Sequence, residues 1–317
     1  MIVLGIDIGG TSIKGASIND KGLILDRFSL QVKKEDTPET TIGNLANIIN
    51  EFIYNHQCKE KIKGIGIGVP GIVDFDLGTV ISSPNLPTWE GFNIKEFLQK
   101  STKLPVFLNN DANVAALGES IFGAGKKYKN MIMLTLGTGV GGGIIIDKKI
   151  YDGNKHRGAE LGHMVIELNG RQCGCGRKGC FEAYASATAL IRDTKEAMDA
   201  YPESELHQVY EELQEVTARN AFIAARRNDP AALEVVNNYV IYLCEGIMNY
   251  CNIFRPEAVV LSGGVANEGD YLLNKVRDYL EEHEYGFHLS PKVNIEIASL
   301  GYDSGKIGAA CLVLYDK

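Results

Sequence analysis

The sequence predicts an α/β protein with a mixed sheet and two domains, and three observations lead to this expectation. The chain has 317 residues, which is more than a single hydrophobic core usually organises. Short apolar runs that end in glycine turns are interleaved with longer segments whose apolar residues recur every three or four positions. A hydrophobic content of 45% and a charged content of 23% are typical of an ordinary globular protein.

The first half begins with an antiparallel meander, because three strand-like runs follow one another with only short turns between them. Apolar spacing then predicts a helix and a further strand that ends in Pro70-Gly71. A rigid loop with two prolines and the only tryptophan follows. The predicted strands are 2–8, 11–18, 23–30, 65–69 and 105–108, the predicted helices are 39–56, 93–100 and 113–119, and the loop is 82–89.

The second half opens with a buried strand at 131–136 and the glycine-rich stretch 137–143. The glycines fit the dinucleotide-binding pattern, but that motif requires a helix directly after it. Residues 144–146 are Ile-Ile-Ile, so the next element is predicted to be a strand, which excludes a Rossmann fold. A Walker A loop is excluded as well, because neither glycine-rich turn ends in Gly-Lys-Ser or Gly-Lys-Thr.

The remainder of the second half is mainly helical. Pro230 directly after Asp229 is typical of a helix start, and Ser304 or Asp303 is expected to cap the last helix. The predicted helices are 186–200, 216–228, 230–254, 269–282 and 303–315, a polar and acidic stretch lies at 201–215, and the predicted strands are 258–261 and 293–297.

The net charge and the cysteine content of the chain argue against some classes of function. A formal net charge of -8 and a pI near 5.4 argue against a general nucleic-acid or membrane-surface role. No apolar run approaches the length of a membrane span and no basic signal region opens the chain, so we expect a cytoplasmic protein. The cysteines outside the cluster described next, Cys58, Cys244, Cys251 and Cys311, are expected to be core residues.

Residues 159–182 concentrate side chains that bind metals. Three thiols and one imidazole suit tetrahedral Zn²⁺, and glycines between them allow the tight turns that bring the sulfurs together. A disulfide is the alternative, but cysteines two positions apart do not bridge easily and nothing suggests an oxidising compartment. Four protein ligands leave no open position, so the site is predicted to be structural, with Glu160 and Glu182 available for another role. The four predicted ligands are His163, Cys173, Cys175 and Cys180.

Three other features have either a functional or a purely structural interpretation. Asp111 lies where a strand gives way to a helix, so a helix cap is as well founded as a catalytic role. Residues 7–11 and 136–139 are two strand-turn-strand units with glycines beside a threonine, which together can hold a polyphosphate or can be unrelated hairpins. The Ser-Gly-Gly-Val turn at 262–265 could approach a flat ligand closely.

Six motifs in order along the chain resemble the ROK family of repressors, open reading frames and sugar kinases. The resemblance runs from the first strand to the last helix, and within the family it is greatest to the bacterial glucokinases, including the Pro-Asn-Leu-Pro segment and Trp89. The motifs begin with Asp7-Ile-Gly-Gly-Thr, Asn110-Asp111-Ala-Asn, Leu136-Gly-Thr-Gly, Glu160-Leu-Gly-His163, Cys173-Gly-Cys-Gly and Leu261-Ser-Gly-Gly.

The resemblance implies the actin-like ATPase fold, with two domains of RNase H-like topology and a cleft between them for ATP and sugar. On this basis we expect a smaller domain at 1–120, with the helix 303–317 packed back on it. A larger domain at 121–302 would carry the zinc loop. The implied reaction is transfer of the ATP γ-phosphoryl group to the sugar 6-hydroxyl, with Mg²⁺ neutralising the phosphates.

The resemblance also implies a role for each residue that matches a family motif. Asp111 matches the catalytic base, which would accept the hydroxyl proton as the phosphoryl group arrives. His163 would bind zinc through one ring nitrogen and donate to the sugar through the other. The nucleotide-binding matches are Asp7, Gly9, Gly10, Thr11, Lys14, Gly137, Thr138, Gly139, Gly263 and Gly264, with Asp7 near the Mg²⁺ through water. The sugar-binding matches are Gly71, Asn85, Asn110, Asp111, Glu160, His163 and Glu182.

The resemblance does not identify the sugar substrate, and the family also contains repressors. Kinases for glucose, fructose, allose or N-acetylmannosamine share most of these positions. The sugar-responsive repressors of the family carry a helix-turn-helix segment ahead of the first phosphate loop, which here begins within ten residues of Met1, so DNA binding is not expected. The resemblance also implies a homo-oligomer, either a dimer or a dimer of dimers.

Overall fold

The structure is a computed structural model, and it describes residues 1–33, 35–55, 62–83, 86–283, 285 and 291–315. The chain folds into two compact units, one of residues 1–129, 143–159 and 299–317 and the other of residues 130–142 and 160–298. Within the described residues, no helix is both long and apolar enough to cross a lipid bilayer.

Twelve named strands occur in the described residues. In chain order they are β1 (Ile2–Ile8), β2 (Ser12–Asn19), β3 (Ile24–Gln31), β4 (Ile62–Val69), β5 (Ile72–Asp74), β6 (Thr79–Ser82), β7 (Val106–Asn110), β8 (Met131–Leu136), β9 (Val140–Ile146), β10 (Lys149–Tyr151), β11 (Ala258–Ser262) and β12 (Asn294–Ile297).

Ten named α-helices accompany them in the described part of the chain. They are α1 (Pro38–Asn55), α2 (Ile94–Thr102), α3 (Asp111–Ile121), α4 (Glu182–Ala185), α5 (Ala187–Ala200), α6 (Glu205–Leu213), α7 (Arg219–Arg226), α8 (Pro230–Phe254), α9 (Asp270–His283) and α10 (Ser304–Leu314).

The first unit is built on a mixed sheet in the order β3-β2-β1-β4-β7. The strands β1, β2 and β3 pair antiparallel, whereas β4 is parallel to both β1 and β7. The predicted meander and mixed sheet are therefore confirmed. Both β4 and β7 end at the same edge of this sheet, with Val69 paired to Asn110, so the residues that follow these strands come together there.

Helix α10 lies very close to the first sheet. A β-carbon on Gly5 of β1 would overlap the backbone carbonyl of Lys306, so only glycine permits this approach. The prediction that Ser304 or Asp303 caps α10 is wrong in one respect, because the Asp303 side chain makes no capping hydrogen bond. Its carboxylate binds Arg27 of β3 instead.

The second sheet has the order β10-β9-β8-β11-β12. Strands β8, β11 and β12 are parallel, and β9 and β10 form an antiparallel hairpin. The element after the glycine-rich stretch is the strand β9, as its isoleucines predict. The interpretation that excludes a Rossmann fold is thus confirmed.

Local sequence signals account for most helix boundaries in the second unit. Helix α8 spans Pro230–Phe254 as predicted, and the Asp229 carboxylate accepts the backbone N–H of Ala232 at 2.8 Å. The polar stretch 201–215 contains the helix α6, whose buried residues are Leu206 and Val209.

The core also includes Trp89, which is 1% exposed. Cys244, Cys251 and Cys311 are buried as expected, and Cys58 lies outside the described residues.

Candidate functional site

The predicted site residues fall on both units. In the first unit, β7 ends at Asn110 and α3 begins at Asp111. The Asn110 side-chain oxygen accepts the backbone N–H groups of Ala112 at 2.9 Å and Asn113 at 3.3 Å. Asn110 is therefore the helix cap, and the alternative interpretation of Asp111 as the cap is wrong. Asp111 is the first helical residue, where the helix dipole favours a carboxylate.

Asn110 also connects the start of α3 to the turn after β4. Its side-chain amide donates to the Gly71 carbonyl at 3.1 Å. Gly71 has a φ of 96°, and a β-carbon there would overlap the Ser82 carbonyl oxygen, so the turn requires glycine. The structure thus brings Gly71, Asn110 and Asp111 together. Asn85, which was predicted to join them, lies outside the described residues.

Two further asparagines beneath Asp111 were not among the predicted site residues. The Asn109 side-chain oxygen accepts the backbone N–H of Asn110 at 2.8 Å and the side-chain amide of Asn113 at 3.1 Å. Both Asn109 and Asn113 are buried. They fix the strand end and the first helical turn that present Asp111. The run Asn-Asn-Asp-Ala-Asn was a visible signal for this network, since amides in that number are unusual in a buried segment.

The first glycine hairpin joins β1 to β2. The Gly9 N–H donates to the Ser12 carbonyl at 2.9 Å and closes the turn. The Thr11 carbonyl accepts the N–H of Val32, just beyond β3, at 3.0 Å, and the side chains of Thr11 and Lys14 are exposed. The backbone of this hairpin is therefore held by its own sheet.

Asp7 at the end of β1 faces the first turn of α10. A β-carbon on Gly305 would lie 3.0 Å from the Asp7 carboxyl group. Burial raises the pKa of Asp7, and the positive charges of Lys306 and Lys14 offset part of this effect. A cation beside Asp7 would favour its charged form in the same way.

Lys306, whose positive charge acts on Asp7, was not predicted as a site residue. It is 5% exposed, and its ammonium group donates to Asp303 at 2.8 Å and to the Tyr302 carbonyl at 3.1 Å. Asp303 in turn receives two hydrogen bonds from Arg27, at 2.6 and 2.9 Å, which lower its pKa well below the usual range. This chain of charges could not be predicted from the sequence, because Arg27 and Asp303 are 276 positions apart.

The second glycine hairpin, between β8 and β9, belongs to the second unit. The Gly137 N–H donates to the Gly139 carbonyl at 3.0 Å. The start of α5 holds the other side of the turn, since the N–H of Ala187 donates to the Gly137 carbonyl at 2.8 Å. The Thr188 hydroxyl donates to the Thr138 carbonyl at 2.6 Å, and the Thr138 side chain itself is exposed.

The glycine turn after β11 adjoins this second hairpin. Gly263 has a φ of 88°, and a β-carbon there would lie 2.5 Å from the carbonyl oxygen of Leu136, the last residue of β8. Gly264 is exposed, and a β-carbon on it would meet no atom within 4 Å. The structure thus places the turn at Gly263 and Gly264 beside the end of β8, with open space next to Gly264.

The predicted metal ligands form a compact cluster. The ligand atoms of His163, Cys173, Cys175 and Cys180 all lie within 4.8 Å of one another, and the three cysteines are free thiols. Cys175 and Cys180 are 3.7 Å apart at sulfur, and His163 Nδ1 is 3.8 Å from Cys173 Sγ. Burial raises the pKa of Cys173 to about 12, and the backbone N–H of Arg177 lowers that of Cys175. One imidazole and three thiols at this spacing fit a tetrahedral Zn²⁺ site.

The two predicted carboxylates lie at the ends of the cluster segment. Glu160 is exposed and directly precedes a short 3₁₀ turn, Leu161–His163. Glu182 begins α4, and its Oε1 is 3.7 Å from Cys173 Sγ. Its other oxygen, Oε2, accepts the backbone N–H of Val140 at 3.0 Å. Glu182 therefore contacts both the cysteine cluster and the second glycine hairpin.

Known proteins are similar to this chain over nearly its full length. The ROK family matches residues 3–316. The chain is 38% identical over 312 residues to the glucokinase of Halalkalibacterium halodurans, covering 98% of this chain and 94% of that protein. A ROK family glucokinase from Streptomyces griseus, solved in complex with glucose and AMPPNP, has a TM-score of 0.81 and 33% identity, covering 98% of this chain and 99% of that chain.

A repressor is also among the relatives. The chain is 32% identical over 315 residues to the xylose repressor of Bacillus subtilis. The match covers 98% of this chain and 76% of the repressor. Both a kinase and a transcriptional regulator are thus similar to this chain over nearly its full length.

Proposed function

The chain belongs to the ROK family, and on that premise we propose that it is an ATP-dependent glucokinase that phosphorylates the 6-hydroxyl of glucose. The likeness to the Streptomyces griseus enzyme confirms the expected actin-like ATPase type of fold. The observation that carries the proposal is the position of Asp111. A carboxylate at the first turn of a helix, beside the Asn110 amide and the Gly71 turn, supports a role in contacting a polar substrate.

In this proposal Asp111 is the general base. It accepts the proton of the sugar 6-hydroxyl as the oxygen attacks the γ-phosphorus of ATP. A positioned base of this kind typically contributes about 10²- to 10⁴-fold to the rate. Most of the remaining acceleration comes from alignment of the two substrates and from stabilisation of charge on the phosphates.

The proposed hexose ligands are polar groups that can each make directional hydrogen bonds to hydroxyls. Carboxylates and an amide discriminate well among sugars, because a sugar that lacks one hydroxyl leaves a buried acceptor unpaired. His163 presents Nδ1 to the cysteine cluster, which leaves Nε2 for the sugar. The set is Gly71, Asn85, Asn110, Asp111, Glu160, His163 and Glu182.

ATP is proposed to bind through the two glycine hairpins and the turn at Gly263 and Gly264. Exposed threonines and backbone N–H groups in these turns suit phosphate oxygens. Asp7 is the carboxylate that would hold Mg²⁺ through water, and the ion would neutralise charge on the β- and γ-phosphates. Its setting fits that role, because burial disfavours a lone charge on Asp7 and a cation would compensate for it.

Zn²⁺ is proposed for the cluster of three cysteines and His163. With four protein ligands, the ion would be structural and would brace the segment that ends in Glu160 and Glu182. Metal analysis of the purified protein should give one zinc per chain. Cys180→Ser should lose that zinc, whereas Cys244→Ser, which changes a buried cysteine of α8, should retain it. Equal zinc content in both variants would contradict the assignment.

The experiment that tests the function is a comparison of hexoses. ADP release should be measured in parallel with glucose, mannose, fructose, allose, N-acetylglucosamine and N-acetylmannosamine. We expect the highest kcat/KM with glucose. Preference for an N-acetyl sugar, fructose or allose would replace the glucokinase proposal with that of another ROK kinase.

Asp111→Asn is the matched variant for this assay. The amide keeps the shape of the side chain but cannot accept the proton, so kcat should fall by about 10²- to 10⁴-fold while glucose binding largely remains. Substantial retained turnover would remove Asp111 from the role of base. Sequence-specific DNA binding without turnover on any hexose would favour the repressor class instead. The expected cytoplasmic location and homo-oligomeric state stay predictions, and light scattering of the purified protein tests the second.

A further inference from the structure

The Glu182 carboxylate lies directly on the second glycine hairpin. Its Oε2 accepts the Val140 N–H at 3.0 Å, and a β-carbon on the neighbouring Gly139 would overlap this same oxygen. Gly139 is therefore required here for the close approach of a carboxylate. Gly137, two positions earlier, is not constrained in this way, because a β-carbon on it would meet no atom within 4 Å.

The two oxygens of this carboxylate have different partners. While Oε2 is committed to the hairpin, Oε1 is directed towards the cysteine cluster, 3.7 Å from Cys173 Sγ. Val140 is the first residue of β9, so the position of its N–H sets where the strand leaves the turn. Any group that fixes the Glu182 carboxylate therefore also fixes the end of the hairpin.

We propose that Glu182 couples hexose binding to nucleotide binding, by accepting a sugar hydroxyl with one oxygen while the other positions the second phosphate hairpin. The inference rests on the proposed function, in which Glu182 is a hexose ligand and Gly137, Thr138 and Gly139 contact the nucleotide. The first ligand to bind orders the shared carboxylate, so the second ligand loses less freedom on binding. Each ligand then tightens the other by the same factor.

The coupling is measured by isothermal titration calorimetry in the presence of Mg²⁺. The Kd of AMPPNP, a nucleotide that does not transfer its phosphoryl group, is determined with and without saturating glucose, and the Kd of glucose with and without saturating AMPPNP. For the unaltered chain we expect both ratios to be equal and about fivefold to thirtyfold.

Val140→Pro is the variant that removes the shared hydrogen bond. Proline lacks the N–H, and the first residue of a strand tolerates it. Val140→Ala is the matched control, because it also removes side-chain volume but retains the N–H. We expect the ratio to fall to about one in Val140→Pro and to be retained in Val140→Ala.

Gly139→Ala and Gly137→Ala form a second matched pair, which keeps the test decisive if Val140→Pro does not fold. A methyl group at 139 displaces Glu182 from the hairpin, whereas one at 137 enters open space. Both lie in the proposed nucleotide site, so each can change the absolute Kd of AMPPNP. Only Gly139→Ala should abolish the dependence of that Kd on glucose.

The outcomes separate this inference from the proposed function. An unaltered coupling ratio in both Val140→Pro and Gly139→Ala, in a chain that still phosphorylates glucose, overturns the role of Glu182 and leaves the kinase proposal standing. A chain that binds no hexose and releases no ADP with any of the six sugars overturns the kinase proposal and this inference together.

Discussion

The two glycine hairpins share a sequence pattern but differ in how each obtains its carboxylate. In the first hairpin the acidic residue, Asp7, is part of the strand that leads into the turn. In the second hairpin the corresponding strand contains no acidic residue, and the carboxylate comes from Glu182, more than forty positions later in the chain. A local pattern therefore includes the carboxylate of the first hairpin but not that of the second.

The hairpins also differ in what restrains their backbones. The Thr11 carbonyl is bound by a backbone N–H next to β3, within the same sheet. The Thr138 carbonyl is bound by the Thr188 hydroxyl at the start of α5. The first hairpin is thus fixed by sheet pairing, and the second by side chains and a helix that follow the cysteine cluster. We infer that the second hairpin responds to events at Glu182, whereas the first depends on its own sheet.

The largest expected effect that tests this contrast is that of Asp7→Asn. Loss of the carboxylate charge should lower kcat/KM for ATP by about a hundredfold, because Asp7 would then hold Mg²⁺ less tightly and the ion would compensate less of the charge on the phosphates. Calorimetry should show an unchanged Kd for glucose, since Asp7 is not among the proposed hexose ligands. Glu182→Gln should instead weaken glucose binding first. A Kd for glucose that rises equally in both variants would contradict the contrast.

Gly305→Ala tests the first hairpin more gently. The new methyl group would lie 3.0 Å from the Asp7 carboxyl, which must shift by a few tenths of an ångström. We expect KM for ATP to rise about threefold to tenfold, an effect on the order of 1 kcal/mol.

Gly43→Ala is the control, because its methyl group would lie 3.8 Å from Phe97 and fits. That variant should leave KM unchanged and raise the free energy of unfolding by about 0.5–1 kcal/mol. A normal KM in Gly305→Ala would show that the Asp7 position is not critical.

Features set by neighbouring residues could be predicted from the sequence, and features set by distant ones could not. The β1–β3 meander, the bounds of α8 and the strand after the glycines follow from apolar spacing and turn residues. The spacing of the cysteines likewise predicted the cluster, whose ligand atoms the structure places close together. In contrast, the Asp303 carboxylate suits a helix cap locally, yet the stronger partner is a guanidinium 276 positions away. The hydrogen bond from the Val140 N–H to Glu182 could not be predicted either, because these two residues are distant in the sequence and meet only in the folded chain.

Thr188→Val tests the restraint on the second hairpin and should have an effect of similar size. The variant loses the hydroxyl that donates to the Thr138 carbonyl, a bond worth about 0.5–1.5 kcal/mol. We expect the Kd of AMPPNP to rise about threefold to tenfold, with the Kd of glucose measured alone unchanged. Thr188→Ser keeps the hydroxyl and should behave like the unaltered chain. If serine and valine have the same effect, the methyl group rather than the hydrogen bond matters.

Arg27→Met tests the chain of charges behind the first hairpin and should have the smallest effect. The Arg27 and Asp303 side chains are 55% and 29% exposed, so solvent screening limits the pair to below about 1 kcal/mol. The pKa of Asp303 is lowered by Arg27 in the folded state, so the stabilisation is present at neutral pH. It is lost as the pH falls through and below about 4, the range in which an unperturbed aspartate takes up its proton.

The measurement for Arg27→Met is urea unfolding of both chains between pH 7 and about pH 2. The difference in the free energy of unfolding should be greatest at neutral pH and should decrease only at the acid end of this range, because the lowered pKa keeps folded Asp303 ionised below the pH at which an ordinary aspartate is protonated. Lys100→Met, which breaks an exposed ion pair with Glu96 one helical turn away, is the control and should cost no more than about 0.5 kcal/mol. A difference for Arg27→Met that stays constant across this pH range would mean that protonation of Asp303 has no effect on the stabilisation by Arg27. The guanidinium would then stabilise the hairpin by packing and not by its charge.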